Sequence, residues 1–144
     1  MTLEESRSLL TATLAQKEKE VALCIENIRD EQIPFIQYSD ENSLACVIMY
    51  AYYGALDFYE IRREASAGKG FVDFLFTPVD SRYIPIIMEL KYNHSAKSAI
   101  TQIRKNNYLL RVRKYPEALL VGINYSIRTK KHTCLIERVS PSES

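Results

Sequence analysis

The sequence predicts an α/β fold in which helices cover one mixed sheet. Three observations carry that reading. Residues 3–31 contain neither Gly nor Pro and repeat apolar residues at helical spacing. Two short runs, 71–78 and 84–92, are largely apolar on both faces and flank the turn Val79-Asp80-Ser81-Arg82, which makes them neighbouring central strands. The order along the chain is helix, helix, three antiparallel strands, helix, strand, strand.

Each element has a local reason. Leu10, Leu14, Val21, Ile25 and Ile28 form the stripe of an amphipathic N-terminal helix, interrupted near 16–20 where the stripe lapses. It stops before Pro34, because the residue ahead of a proline disfavours the helical region. Ser39 or Asp40 caps a second helix running to Ala55, with Glu41 in its first turn and Leu44, Val47, Ile48 and Ala51 on its buried face. Tyr50, Tyr52 and Tyr53 read as core and rim residues, and Gly54 closes the helix. Residues 58–64 alternate as a strand, and Gly68 and Gly70 permit a tight turn into the first central run. Ser95 caps a third helix over 96–108, with 109–115 extending or following it up to Pro116. Residues 118–125 form a buried strand, 134–139 a last edge strand, and 140–144 a frayed tail.

With 144 residues, 47% of them apolar, the chain suffices for one domain with a proper core. The net charge of +1 conceals an asymmetry. Residues 1–60 carry 4 Lys/Arg against 11 Asp/Glu, and residues 61–144 carry 15 against 7, a hint of a polyanionic partner. Arg62, Arg63, Lys69, Lys97, Arg104, Lys105, Arg111, Arg113 and Lys114 could track a nucleic-acid backbone, though each alone reads first as a solvated surface residue. Cys24, Cys46 and Cys134 lie far apart among apolar residues and read as buried thiols of a reducing compartment. His94 and His132 are distant from each other and no Cys-x-x-Cys occurs, so a structural zinc site is not expected. The longest apolar run, 44–56, is too short to span a bilayer and no signal pattern opens the chain, so the expectation is a cytoplasmic protein without membrane partners.

Chemistry enters on the central strands. Pairing them about position 81 sets Asp73 opposite Glu89, with Cβ atoms about 5 Å apart. Carboxylates that close repel unless a proton or cation lies between them. Lys91 shares the face of Glu89, because side chains alternate along a strand. The alternative is a buried ion-pair network, but one amine cannot balance two acids. A metal site with a neighbouring amine accounts for all three residues.

These residues resemble the PD-(D/E)XK nuclease superfamily: an Asp on one strand of a hairpin, Glu-x-Lys on the next, then a helix and a parallel strand. Glu64, Gly68-x-Gly70-x-x-Asp73, Glu89-Leu90-Lys91, Gln102-Ile103, Tyr108 and Val121-Gly122-Ile123-Asn124 are together similar to the nuclease-like domain that follows an AAA-ATPase-like domain in many bacterial proteins. Ile33-Pro34-Phe35 and the preceding helix resemble the connector between those domains. The resemblance implies a restriction-endonuclease-like core, αβββαβ in order, over 34–139, preceded by an extra N-terminal helix and connector over 1–33 and followed by a flexible tail over 140–144. Two departures stand out: no Pro precedes Asp73, and Phe71, with Lys69 nearby, replaces the Arg that relatives often carry in the Gly-rich turn. No phosphate-binding Gly-x-x-x-x-Gly-Lys-Ser/Thr loop occurs, so an ATPase-like partner would lie outside this chain.

The resemblance further implies a metal-dependent deoxyribonuclease. Asp73 and Glu89 would hold Mg²⁺ or Mn²⁺ with the Leu90 main-chain carbonyl, and Lys91 would orient the attacking water. Glu41, on the helix matching the superfamily's first, would help through a water or a second ion, and Gln102 would position Lys91 or a phosphate oxygen. DNA is the expected partner, contacted by Arg62, Arg63, Lys69, Lys97, Arg104 and Lys105, with selectivity for DNA structure or ends over base sequence. A homodimer is plausible if the N-terminal helix exposes its apolar stripe. The alternative function is a non-catalytic module of the same fold that binds nucleic acid or protein.

Overall fold

The computed structural model describes residues 1–32, 40–63 and 73–143. Helices α1 (Leu3–Leu14) and α2 (Glu18–Asn27) lead through a π-helical turn, Ile28–Gln32, to α3 (Glu41–Ala51). Strands β1 (Tyr59–Arg63), β2 (Phe74–Pro78) and β3 (Ile86–Tyr92) follow, then α4 (Ala96–Lys105), β4 (Ala118–Ser126) and β5 (Lys131–Val139). The strands form one sheet in the order β1-β2-β3-β4-β5. Among the described residues only the β3/β4 pair is parallel, with α4 as its crossover. This is the mixed α/β sheet flanked by helices that the sequence predicts, and its architecture is restriction-endonuclease-like.

Two apolar layers sandwich the sheet. On one face Leu9, Ile25, Leu44 and Ile48 pack with Phe74, Phe76, Met88 and Val121. On the other, Ile100 and Ile103 of α4 pack with Leu75, Ile87 and Leu120. The alternation expected for the central strands therefore holds, since even and odd positions of β2 and β3 enter opposite layers.

Several boundaries differ from expectation, each for a physical reason. The interruption expected near 16–20 is there, and it divides the N-terminal helix in two: Gln16 adopts the left-handed region at φ 58° and turns the chain back. Helix α3, capped by Asp40, stops at Ala51 instead of Ala55, and Tyr53–Asp57 is a 3₁₀ turn. Ser6 Oγ closes this end by donating to the Ala51 carbonyl at 2.6 Å and accepting the Gly54 N–H at 2.8 Å. A Cβ on Gly54 would stand 2.8 Å from that hydroxyl, so the glycine permits close approach where a helix stop was expected. Strand β3 starts at Ile86, not at 84, as Pro85 offers no N–H to a ladder. Asn107, at φ 58°, ends α4 before Tyr108–Val112 forms its own 3₁₀ turn.

Strand β5 begins at Lys131 instead of 134, because His132 faces inward between exposed Lys131 and Thr133. Pro141–Glu143 forms a 3₁₀ turn with Pro141 buried, in place of a frayed end there. Of the cysteines only Cys134 is buried. Cys24 is half-buried and Cys46 is exposed on α3, which corrects the reading of three buried thiols. Tyr52 is core, whereas Tyr50 and Tyr53 are exposed.

The open edge of β5 is clasped by α2. Glu18 Oε2 accepts the Ile136 N–H at 2.7 Å and Glu26 Oε1 accepts the His132 N–H at 3.2 Å. Eight helical residues span about 12 Å and four strand residues about 13 Å, so the two carboxylates match alternate amides of the strand. A covered edge cannot pair with another chain.

Candidate active site

The register of the hairpin pairs Phe74 with Met88, Leu75 with Ile87 and Phe76 with Ile86. One residue further along the same register, Asp73 stands opposite Glu89. Asp73 Oδ2 accepts the main-chain N–H of Leu90 at 2.7 Å, which fixes the carboxylate against β3. Glu89 is 3% exposed, and among the described residues its Oε2 has no hydrogen-bond partner. Its Oε1 receives the Gln102 amide at 3.5 Å.

That environment changes the chemistry of Glu89. Burial, a hydrogen bond to Asp73 and the charge of Asp73 together push its pKa from 4.5 up to about 9, with Glu41 adding to the rise and Lys91 opposing it. Without a cation, Glu89 holds a proton at neutral pH.

Lys91 lies two residues on, half-buried, and its Nζ donates to Gln102 Oε1. Among the described residues no salt bridge joins Lys91 to Asp73 or Glu89. The buried ion-pair alternative is therefore not the arrangement found. Gln102, from α4, bridges the amine and the acid, one end of its amide on each.

Helix α4 reaches this position because of Gly122, which pairs with Glu89 across the parallel ladder. A Cβ there would lie 2.5 Å from the Ala96 carbonyl and 3.0 Å from the Ala99 methyl. Only glycine lets the helix settle this close to β4. Asn124, beside Lys91 in the ladder and 4% exposed, accepts the His94 N–H at 3.0 Å and fixes the turn into α4. Gly122 and Asn124 belong to the run that carries the resemblance, and a glycine and an amide inside an apolar strand are the local signals of these packing roles.

Glu41 comes from the opposite layer. It opens α3, is exposed at its outer end, and belongs electrostatically to the same cluster: partial burial of the carboxyl and Asp73 raise its pKa, while Lys91 and His94 lower it. Asp73, Glu89, Lys91 and Gln102 thus form the centre, with Glu41 and His94 at the rim.

The basic residues are dispersed. Arg62 pairs with Glu60 at 3.2 Å, Arg104 with Glu137 at 2.7 Å, and Arg63 donates to Asn42 Oδ1 next to Glu41. Lys97 is exposed in the first turn of α4 and Lys105 in its last. Lys69 and the Gly-rich turn lie outside the described residues.

The donors suit a hard cation, being carboxylate and carbonyl oxygens. Among the described residues no group of three His, Cys, Asp or Glu side chains is arranged to hold a metal ion. Two carboxylates are what the site offers, and the orphaned Oε2 of Glu89 is the atom that a cation would satisfy. A family model described as the PD-(D/E)XK nuclease superfamily matches residues 39–137, more than half of the chain. No curated protein sequence matches it. Among the described residues no helix is long and apolar enough to cross a membrane.

Proposed function

The chain belongs to the PD-(D/E)XK nuclease superfamily, and on that footing we propose that it hydrolyses phosphodiester bonds of DNA with the help of a divalent ion. One observation carries the reading: the buried, unpartnered Oε2 of Glu89 beside Asp73. An unsatisfied buried polar atom disfavours the fold by about 1–3 kcal/mol. A cation shared by the two carboxylates removes that penalty.

Asp73 and Glu89 would hold Mg²⁺ or Mn²⁺, with the Leu90 carbonyl beside them. The Leu90 N–H points at Asp73, and a residue's N–H and C=O leave a strand on the same side. Mg²⁺ keeps several waters, so two carboxylates and a carbonyl suffice. When bound, such an ion neutralises charge on the phosphate and lowers the pKa of a water.

The chain's own residues supply the remainder. The Leu90 N–H holds the Asp73 carboxylate in its orientation. Gln102 holds the Lys91 ammonium in place, ready to hydrogen-bond the attacking water or a phosphate oxygen as negative charge grows there. Glu41 orders a water, or a second ion, from the rim.

The test incubates supercoiled, linear and branched DNA with the protein in Mg²⁺, Mn²⁺ or EDTA, beside Asp73→Ala and Lys91→Ala. Metal-dependent cutting lost in both variants is the expected result. Cutting untouched by either substitution sinks the site assignment. Metal-independent binding without any cutting instead supports the non-catalytic module.

A further inference from the structure

The turn that joins β4 to β5 rises from the same end of the sheet as the acidic pair. In the ladder Lys91 lies beside Asn124, and Asn124 lies beside Thr133 of β5. The β4/β5 pairing ends two residues on, at Ser126 and Lys131. With strands about 4.8 Å apart and a rise of about 3.3 Å per residue, the Cα of Lys131 stands about 12 Å from that of Lys91. Both side chains leave the same face of the sheet. Ile87 of β3 and Leu135 and Val139 of β5 pack in the layer under α4, whereas Met88, Cys134 and Ile136 enter the other layer. Side chains alternate along a strand, so Lys131 shares the α4 face with Lys91.

The turn is also tied to the site through its backbone. The N–H of Asn93, two residues beyond Lys91, donates to the Tyr125 carbonyl at 2.8 Å, and Asn93 Oδ1 accepts the Ile127 N–H at 2.9 Å. Within the turn the Lys130 N–H donates to the Ser126 carbonyl at 2.7 Å and the Thr129 N–H to Ser126 Oγ at 3.4 Å. Residues 127–131 are all exposed, and Arg128, Lys130 and Lys131 among them carry positive charge. Among the described residues none of these three forms an ion pair, whereas Arg62 and Arg104 are both held by acids. Lys130 adopts the left-handed region at φ 59°, which glycine would enter without a steric penalty. A lysine there keeps a cation at the tip in spite of backbone strain, and such strain collects at functional positions.

We propose that Arg128, Lys130 and Lys131 form a phosphate-binding turn that grips the nucleic-acid backbone on one side of the cut. The inference rests on the nuclease reading above. Asp73, Glu89 and Lys91 act on the scissile phosphate, and a turn about 12 Å away on the same face meets phosphates farther along the backbone. Contacts to phosphates carry no base sequence, so the turn supplies affinity and register and no sequence preference. Asn93 couples the turn to the strand that carries Lys91, so a backbone gripped there enters the site in one direction.

The experiment compares wild type with Lys130→Gln/Lys131→Gln and with a control of equal charge loss, Lys17→Gln/Lys19→Gln. Lys17 and Lys19 are exposed and flank Glu18, which lies against Ile136, well down β5 from the turn. Binding of duplex DNA is measured in EDTA from about 50 to 200 mM salt, and the turn variant should lower the slope of log K against log salt by about 2. The control should barely change it, and all three proteins should melt alike. In Mg²⁺ the turn variant should show a raised KM with kcat nearly unchanged. Duplexes carrying one neutral methylphosphonate should bind wild type more weakly when the substitution lies on one side of the cut, and the turn variant should be indifferent there. Lys130→Gly should melt no lower than wild type and still bind DNA more weakly. A wild-type slope in the turn variant, or an equal fall in the control, overturns the proposal. If wild type binds but never cuts, the nuclease reading fails and the slopes alone decide the role of the turn. If it neither binds nor cuts, both fail.

Discussion

The side-chain oxygen of Gln102 accepts a hydrogen bond from the Lys91 ammonium, and its amide nitrogen turns to Glu89 Oε1 at 3.5 Å. A lysine near two carboxylates would otherwise fold back onto one of them. Gln102→Ala should therefore reduce kcat about 10- to 100-fold, the range seen when outer partners of metal ligands are removed, with KM nearly unchanged. Steady-state kinetics on one DNA substrate checks the split. A loss confined to KM would place Gln102 on the substrate instead.

Glu89 makes stability depend on pH in a definite direction. Its folded pKa is raised from 4.5 to about 9, so it binds its proton more tightly folded than unfolded. The stabilisation is complete below about pH 4.5 and is lost as pH rises towards 9. Glu89→Gln, which mimics the protonated acid, should flatten that decline. At pH 8 without metal it should melt at least ~4 °C above wild type, what about 1 kcal/mol is worth in a chain of this size. Thermal melts in EDTA from pH 5 to 9 measure it.

Gly122 is a packing requirement of the site. In Gly122→Ala the new methyl meets the Ala96 carbonyl, which is backbone and cannot rotate aside. Overpacking of this kind destabilises by about 1–3 kcal/mol. Because the shift moves α4, and Gln102 with it, activity should fall further than denaturant unfolding alone explains.

Glu18→Ala should loosen the clasp on β5. The lost bond joins a carboxylate to the Ile136 N–H and is worth about 1.5–3 kcal/mol as a charge-assisted pair. Hydrogen exchange at the Ile136 amide should accelerate, while exchange at Leu90, on the far side of β4, should follow global stability only.

What was legible in the sequence divides along physical lines. The hairpin register was readable because an acid or amine inside an apolar strand is conspicuous, and the polar turn centred on 81 determines which of them oppose. The α4 cap was readable because Ser95 has no other good local use. The break near Gln16 was readable from the lapse of the apolar stripe, although its left-handed backbone was not, since no glycine marks it. Glu18 and Glu26 looked like the solvent side of an amphipathic helix, and nothing local says that a strand edge lies against them. His94 carried no signal, because an exposed histidine in a turn reads the same with or without a site beside it. Cys46 lies among apolar neighbours in sequence, yet points outward between Ala45 and Val47, which are both buried.

The most direct test of the central claim, that Asp73 and Glu89 jointly take a divalent ion, is calorimetric titration of the metal-free protein with Mn²⁺ at pH 7.5 in buffers of different ionisation enthalpy. A carboxyl with a pKa of about 9 must give up its proton when a cation replaces it. Specific binding with close to one proton released per ion is expected, with loss of both in Asp73→Asn and Glu89→Gln. Binding that releases no proton and survives both substitutions would contradict it.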